Sequence, residues 1–257
     1  MAIEKTRALV IRTTPFGETS SVVGLYCREF GKLRALAKGA WRPKSGFDGG
    51  LDLLSTSQVL VLRKSSGGLD LLTEASLESR FRVGTSLAAV LGGLRVAEML
   101  DALTADADPQ PELFEVAHAT VRRLSGWQAD DEEVPTVVAA FELAMLSLTG
   151  HAPVLDGCVE CGGRLPQGPR IAVGMLDGGT LCDRCRRQRR GVVSASAAAI
   201  AAMRTLAREG PDATDRVPGR VTGEIRGIMS TYLAHLLGRP LRVPAAAGIS
   251  SRRQRRP

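Results

Sequence analysis

Four of the five cysteines stand in two identical pairs, Cys158-x-x-Cys161 and Cys182-x-x-Cys185, with 20 residues between the pairs. That spacing points to a four-cysteine zinc site. Zn²⁺ takes four soft donors at tetrahedral corners, and two C-x-x-C turns close such a shell. Gly162 and Gly163 follow the first pair, and Gly178 and Gly179 precede the second. Tight turns around a metal call for positive φ at such places. Residues 170–176 (RIAVGML) are short and apolar enough for a strand of a small ribbon. Two disulfides or a redox dithiol are the alternatives. Disulfides belong to an oxidising compartment, and a redox pair sits alone at a strand-to-helix junction. The expected cofactor is one structural Zn²⁺ per chain on Cys158, Cys161, Cys182 and Cys185. A filled shell leaves no open position for water or substrate. The metal therefore describes how part of the chain is held together, not what the chain does.

The second informative stretch is residues 38–47 (KGAWRPKSGF), which sets Lys38, Arg42 and Lys44 beside Trp41 and Phe47. Cations attract phosphates, and planar aromatic rings stack on unpaired bases. Lys32, Arg34 and Lys38 share parity, so a strand would point all three to one face. Phe16, in residues 13–19 (TTPFGET), offers another ring. The candidate nucleic-acid-binding residues are Phe16, Lys32, Arg34, Lys38, Trp41, Arg42 and Lys44. The competing reading has Trp41 capping the end of a barrel above merely solvated charges. Arg184, Arg186, Arg187, Arg189 and Arg190 crowd the second cysteine pair. Some of them are expected to offset the −2 charge of a Cys₄ zinc site. Enzymatic constellations are missing: His118, His151 and His235 are isolated, and no phosphate loop or nucleophile elbow is present.

These residues need elements to hold them. Residues 1–80 carry strand-like runs at 7–12, 21–28, 32–38, 58–63 and 69–75, punctuated by glycine turns. Five short strands suit a closed oligonucleotide-binding (OB) barrel. Residues 81–156 read as three helices, the first with a stripe of Leu87, Val90, Leu91 and Leu94 that continues to Leu103. The acidic run 130–133 precedes the third, where negative charge suits a helix N-terminus. The zinc insert spans 157–191, two further helices span 192–244, and a basic tail without periodicity, 245–257, is expected to be disordered. The fold class is α+β multidomain, with a five-stranded barrel, a helical domain and an inserted four-cysteine module packed as one bundle with a ribbon projecting from it. Cys27 is expected to be an ordinary buried thiol.

The net charge of +7 is unevenly spread. Residues 81–157 hold 4 Lys/Arg against 12 Asp/Glu, whereas residues 192–257 hold 11 against 4. Basic segments flanking an acidic one suggest separate partners, a polyanion among them. No stretch is long and apolar enough to span a bilayer, and the opening residues lack a signal-peptide pattern. A cytoplasmic protein is expected.

The order of parts resembles the RecO family of bacterial recombination mediators, from Arg7 to about Leu241. The resemblance is carried by Ala8-Leu9-Val10-Ile11, Phe16-Gly17-Glu18-Thr19-Ser20, Leu25-Tyr26, Phe30-Gly31-Lys32 and Ala37-Lys38-Gly39-Ala40. Arg42, Ser45, Gly68-Leu69, Leu72 and the cysteine pairs extend it. It implies a non-enzymatic adaptor that binds single- and double-stranded DNA and anneals complementary strands. It further implies action with RecR to help RecA replace the single-stranded-DNA-binding protein SSB. The acidic SSB tail would dock on the helical part, with the basic helices after Val192 favoured and no pocket residues assigned. Trp41 departs from the basic residue more common at its position, which gives stacking more weight. The alternative is a zinc-stabilised scaffold that binds acidic peptide tails without annealing DNA. A zinc-dependent enzyme is the third reading.

Overall fold

The run Ala8, Leu9, Val10, Ile11 is apolar at every position because its strand is buried on both faces. The computed structural model describes residues 2–43, 45–47, 49–64, 68–126 and 132–244, and it places this run in β1 (Ala2–Phe16). Lys44, Asp130, Asp131 and the basic tail 245–257 lie outside the described residues. Ala8 and Val10 point into the barrel interior, while Leu9 and Ile11 point into a second core shared with the helices. Strands covered on both sides read as continuous hydrophobic runs rather than alternation.

β1 is followed by β2 (Ser20–Cys27), β3 (Gly31–Ala37), β4 (Thr56–Arg63) and β5 (Asp70–Ser79). The five close in the order β1-β2-β3-β5-β4, with β3 and β5 parallel and β1 and β4 antiparallel. This is the OB-type barrel. Cys27 is fully buried inside it, and burial pushes its thiol pKa up. Phe47 also lies in the barrel core, together with Ala40 and Leu51 from the loop after β3. Phe47 is therefore a core residue and leaves the loop's aromatic surface to Trp41.

The helical domain comprises α1 (Leu87–Leu103), α2 (Pro111–Leu124), α3 (Val134–Leu148), α4 (Ala197–Glu209) and α5 (Gly219–Leu237). α3 is buried along most of its length and touches the other four helices. An almost uniformly apolar helix belongs at the centre of such a core. Its single charge, Glu142, is paired with Arg95 of α1, both side chains being 2% exposed. Burial pushes the Glu142 carboxyl pKa up against the pull of Arg95. Arg95 Nη1 also donates to the Val243 carbonyl at 2.9 Å. Ser196 caps α4, its hydroxyl accepting from the Ala199 amide, and Gly238 ends α5 in the left-handed conformation.

The leucine stripe expected on the first half of α1 is not its buried face. Leu87 is exposed, and Leu91 and Leu94 are only half-buried, whereas Ala88, Ala89, Gly92 and Gly93 are buried. A Cβ at Gly93 would stand 2.7 Å from atoms of both Leu54 and Phe81, and one at Gly92 3.0 Å from Val138. Close backbone approach, rather than bulk, selects the buried face here.

The insert forms a sheet in the order β7-β6-β8, with β6 (Arg170–Gly174), β7 (Gly179–Leu181) and β8 (Val192–Ser196). Its third strand runs directly into α4, so the sheet continues past Gly191. The sheet is also seated on the helices rather than simply projecting. Ile171 and Val173 enter the main helical core, and Ala172 faces the cysteine side. No helix among the described residues is long and apolar enough to cross a membrane.

The α1–α2 linker is fastened to the start of β3. The Ala107 amide donates to the Lys32 carbonyl at 2.8 Å. Gly31 has φ +64°, and a Cβ there would lie 2.0 Å from the Asp108 carbonyl oxygen. A left-handed non-glycine residue alone costs about 1–2 kcal/mol, before the clash is counted. Gly31→Ala is expected to lower Tm by at least about 4 °C, measured by a thermal scan; an unchanged Tm would show that the linker can shift freely.

Candidate metal centre and nucleic-acid face

The four paired cysteines converge as their spacing predicts. Their Sγ atoms all lie within 4.8 Å of one another. The Cys161–Cys182 pair stands at 3.9 Å. Four sulfurs around a tetrahedral zinc at about 2.3 Å would sit about 3.8 Å apart, so the donor set and its size suit that ion. No disulfide joins them. The first turn is built by Gly162, at φ +66°, whose amide donates to the Cys158 carbonyl at 2.8 Å. The Val159 amide donates to the Thr180 carbonyl at 2.9 Å and ties this turn to β7.

The thiols perturb one another. Burial works against ionisation of Cys158, yet amide hydrogen bonds from Cys182, Cys161 and Glu160 bring it down to about 6. Cys185 is pushed up to about 12, first by its hydrogen bond with the Cys182 sulfur. Four thiolates at this separation require a cation. A bound metal would be held by all four and would supply only a tetrahedral crosslink. The surrounding arginines divide by role. Hydrogen bonds from Arg184 to Cys161 and Cys185 raise the Arg184 pKa. Arg186 pairs with Asp183 at 3.2 Å, and Arg189 with Asp177 at 3.1 Å. Arg187 and Arg190 are exposed.

On the barrel, three strands lay out a regular outer face. Arg12 of β1 is in register with Gly24 of β2, and Gly24 with Arg34 of β3. The next row is Thr14, Val22 and Leu36. Arg12 and Arg34 thus flank a glycine floor, in a cleft of about 250 Å³ that Thr14, Val22 and Asp101 also line. Lys38, Trp41 and Arg42 are exposed just beyond β3. The Trp41 amide donates to the Thr19 carbonyl at 3.0 Å, and its indole Nε1–H donates to Ser21 Oγ at 3.0 Å. This loop is thereby pinned beside the β1–β2 hairpin, whose tip carries Phe16. Trp41 and Phe16 are 55% and 57% exposed, as stacking on bases would require.

The family model described as "Recombination protein O N terminal" matches residues 1–81, and "Recombination protein O C terminal" matches residues 84–244. The chain belongs to the RecO family. A protein of Rhodopirellula baltica named DNA repair protein RecO is 38% identical over 204 residues, covering 79% of this chain and 74% of the relative. RecO proteins of Myxococcus xanthus and Frankia casuarinae are 32% and 31% identical, covering 91% and 94% of this chain and 93% and 97% of the relatives.

Within this RecO fold one candidate changes role. Lys32 is buried beneath the α1–α2 linker, and its ammonium donates to the carbonyls of Asp101 and Thr104 at 2.7 Å each. The Asp106 carboxylate lies 3.4 Å away. Lys32 caps the C-terminus of α1, where positive charge is favourable; it also lines the cleft that holds Arg12 and Arg34, with its ammonium committed to these oxygens. Lys32→Gln is expected to leave the salt dependence of DNA binding unchanged while lowering Tm. A shallower salt slope would return Lys32 to the binding face. Arg12 is the residue that the sequence concealed. Alternation from Leu9 and Ile11 would turn Arg12 inward, but β1 shifts register between Val10 and Arg12. The bulge sends Arg12 out beside Gly24.

Proposed function

We propose that this RecO-family chain is a non-enzymatic mediator of DNA repair in the cytoplasm, working at the nucleoid. Residues 1–80 would bind single- and double-stranded DNA, and complementary strands would anneal on the shared basic face. With RecR, the protein would help RecA load onto SSB-coated single strands. The observation that carries this reading is the exposed row Arg12, Arg34, Lys38 and Arg42, which ends at two solvent-facing aromatic rings. Phosphates bound by these cations would be screened from one another, and the rings would hold unpaired bases. The names of the relatives agree with a role in repair. Zinc is the metal we assign to the four cysteines, with a structural role.

The acidic, hydrophobic-ended SSB tail would take a cleft of about 270 Å³ between Met175, Leu176 and the Tyr232–Leu236 stretch of α5. Leu176 is 66% exposed there, and residues 192–244 hold 7 Lys/Arg against 4 Asp/Glu. The test is annealing of complementary oligonucleotides coated with SSB, with and without the protein. Acceleration supports the proposal. Absence of both annealing and any gel shift of naked DNA at low salt would favour a scaffold that binds acidic peptides.

A further inference from the structure

Two clefts on this surface share a wall. Arg12 and Asp101 line the barrel cleft that holds Arg34, and they also line a second cleft of about 300 Å³ with Leu53, Leu94, Arg239 and Arg242. The second cleft crosses from the barrel to α1 and on to the segment that follows α5. Resting on the DNA-binding reading above, we propose that a single strand bound on the barrel continues through this second cleft, with Arg239 and Arg242 contacting its phosphates.

The charges support such a path because its acidic groups are already engaged. Both carboxylate oxygens of Glu98 accept backbone amides, from Arg242 and Val243, at 2.8 Å. The Arg239 guanidinium lies 3.5 Å from the same carboxylate. Asp101 lies 3.8 Å from Arg12 and 4.0 Å from Lys32. Arg12, Arg34, Arg239 and Arg242 remain exposed along the two adjoining clefts. Leu53, 39% exposed, gives the second cleft an apolar contact for a sugar or base. The 239–243 segment is rigidly presented, since Glu98 holds its amides and Arg95 holds the Val243 carbonyl. A line of separated cations joined to the barrel face matches a polyphosphate chain better than a compact acidic peptide.

The full chain carrying Arg239→Gln and Arg242→Gln, and a second variant with Arg242→Gln alone, would be titrated with thymidine oligomers of about 8 and about 20 nucleotides across a salt series. The backbone clamp on Glu98 does not involve the Arg242 side chain, so the single variant keeps the fold. The double variant should bind the longer oligomer about 20-fold more weakly at about 0.1 M salt, with a slope shallower by about 1.4. The single variant should show about half that slope change, and the shorter oligomer should be bound nearly as before. An unchanged slope on the longer oligomer overturns the path. So does an equal loss on both oligomers, or a loss confined to binding of a ten-residue polyglutamate peptide. If Arg34→Gln, Lys38→Gln and Arg42→Gln weaken binding while Arg239 and Arg242 do not matter, only this inference falls. If the unmodified chain binds neither oligomer, the DNA-binding reading falls with it.

Discussion

Replacing Arg12, Arg34, Lys38 and Arg42 together by glutamine is expected to weaken single-strand binding by roughly 600-fold at about 0.1 M salt and to abolish annealing. Each phosphate neutralised on a single strand contributes about 0.7 to the slope of log affinity against log salt. Four lost contacts should therefore flatten it by about 2.8. The four side chains are exposed, and the one ion pair they make among the described residues, Arg12 with Asp101 at 3.8 Å, is itself largely solvated. Surface pairs of this kind contribute little to stability, so the variant should fold. Trp41→Ala provides the contrast. It should cost about 1–3 kcal/mol of binding through lost stacking and leave the slope alone, and tryptophan fluorescence should report binding in the parent chain. A quadruple variant with the parent's slope would exclude this face from DNA binding.

Replacing Cys182 by serine is expected to remove one metal ion per chain and lower Tm by roughly 10 °C, corresponding to about 3 kcal/mol for a chain of this size. The effect should reach beyond the ribbon because β6 has two faces. Ala172 lies on the cysteine side with Leu181, while Ile171 and Val173 pack into the main helical core. Freeing the cysteine turns would loosen both layers. Structural zinc binding and folding share one free energy, so prolonged chelation should match the substitution. Oligonucleotide affinity should survive, since the barrel face lies in another part of the fold. Metal analysis and a thermal scan provide the check, and an unchanged Tm after full metal removal would contradict the clamp.

Much of this architecture was legible in the sequence. The cysteine spacing, the five glycine-marked strands and the count of three helices before the insert and two after it lead directly to elements seen in the fold. The failures have specific physical causes. Periodicity weighs side-chain bulk, so it chose the leucines of α1, whereas the contact was set by Gly92 and Gly93 allowing close approach. Parity put Lys32 with Arg34 and Lys38 correctly on the outside of β3, but the linker that covers Lys32 comes from more than 70 residues away. A bulge of one residue hid Arg12. Phe47 looked like part of a basic surface loop because composition does not show that the loop turns back into the barrel.

β1 places Ala8 and Val10 in one core and Leu9 and Ile11 in the other. The two matched family regions meet between residues 81 and 84, yet the layer between barrel and helices is a strand belonging to both. Neither half is then a self-sufficient folding unit: an excised barrel would expose Leu9, Ile11 and Tyr26 to water, and the excised helices would lose their cover. Unfolding should accordingly be a single cooperative event for barrel and helices, and strain felt by the barrel on engaging a strand would be transmitted to the helices through the core they share.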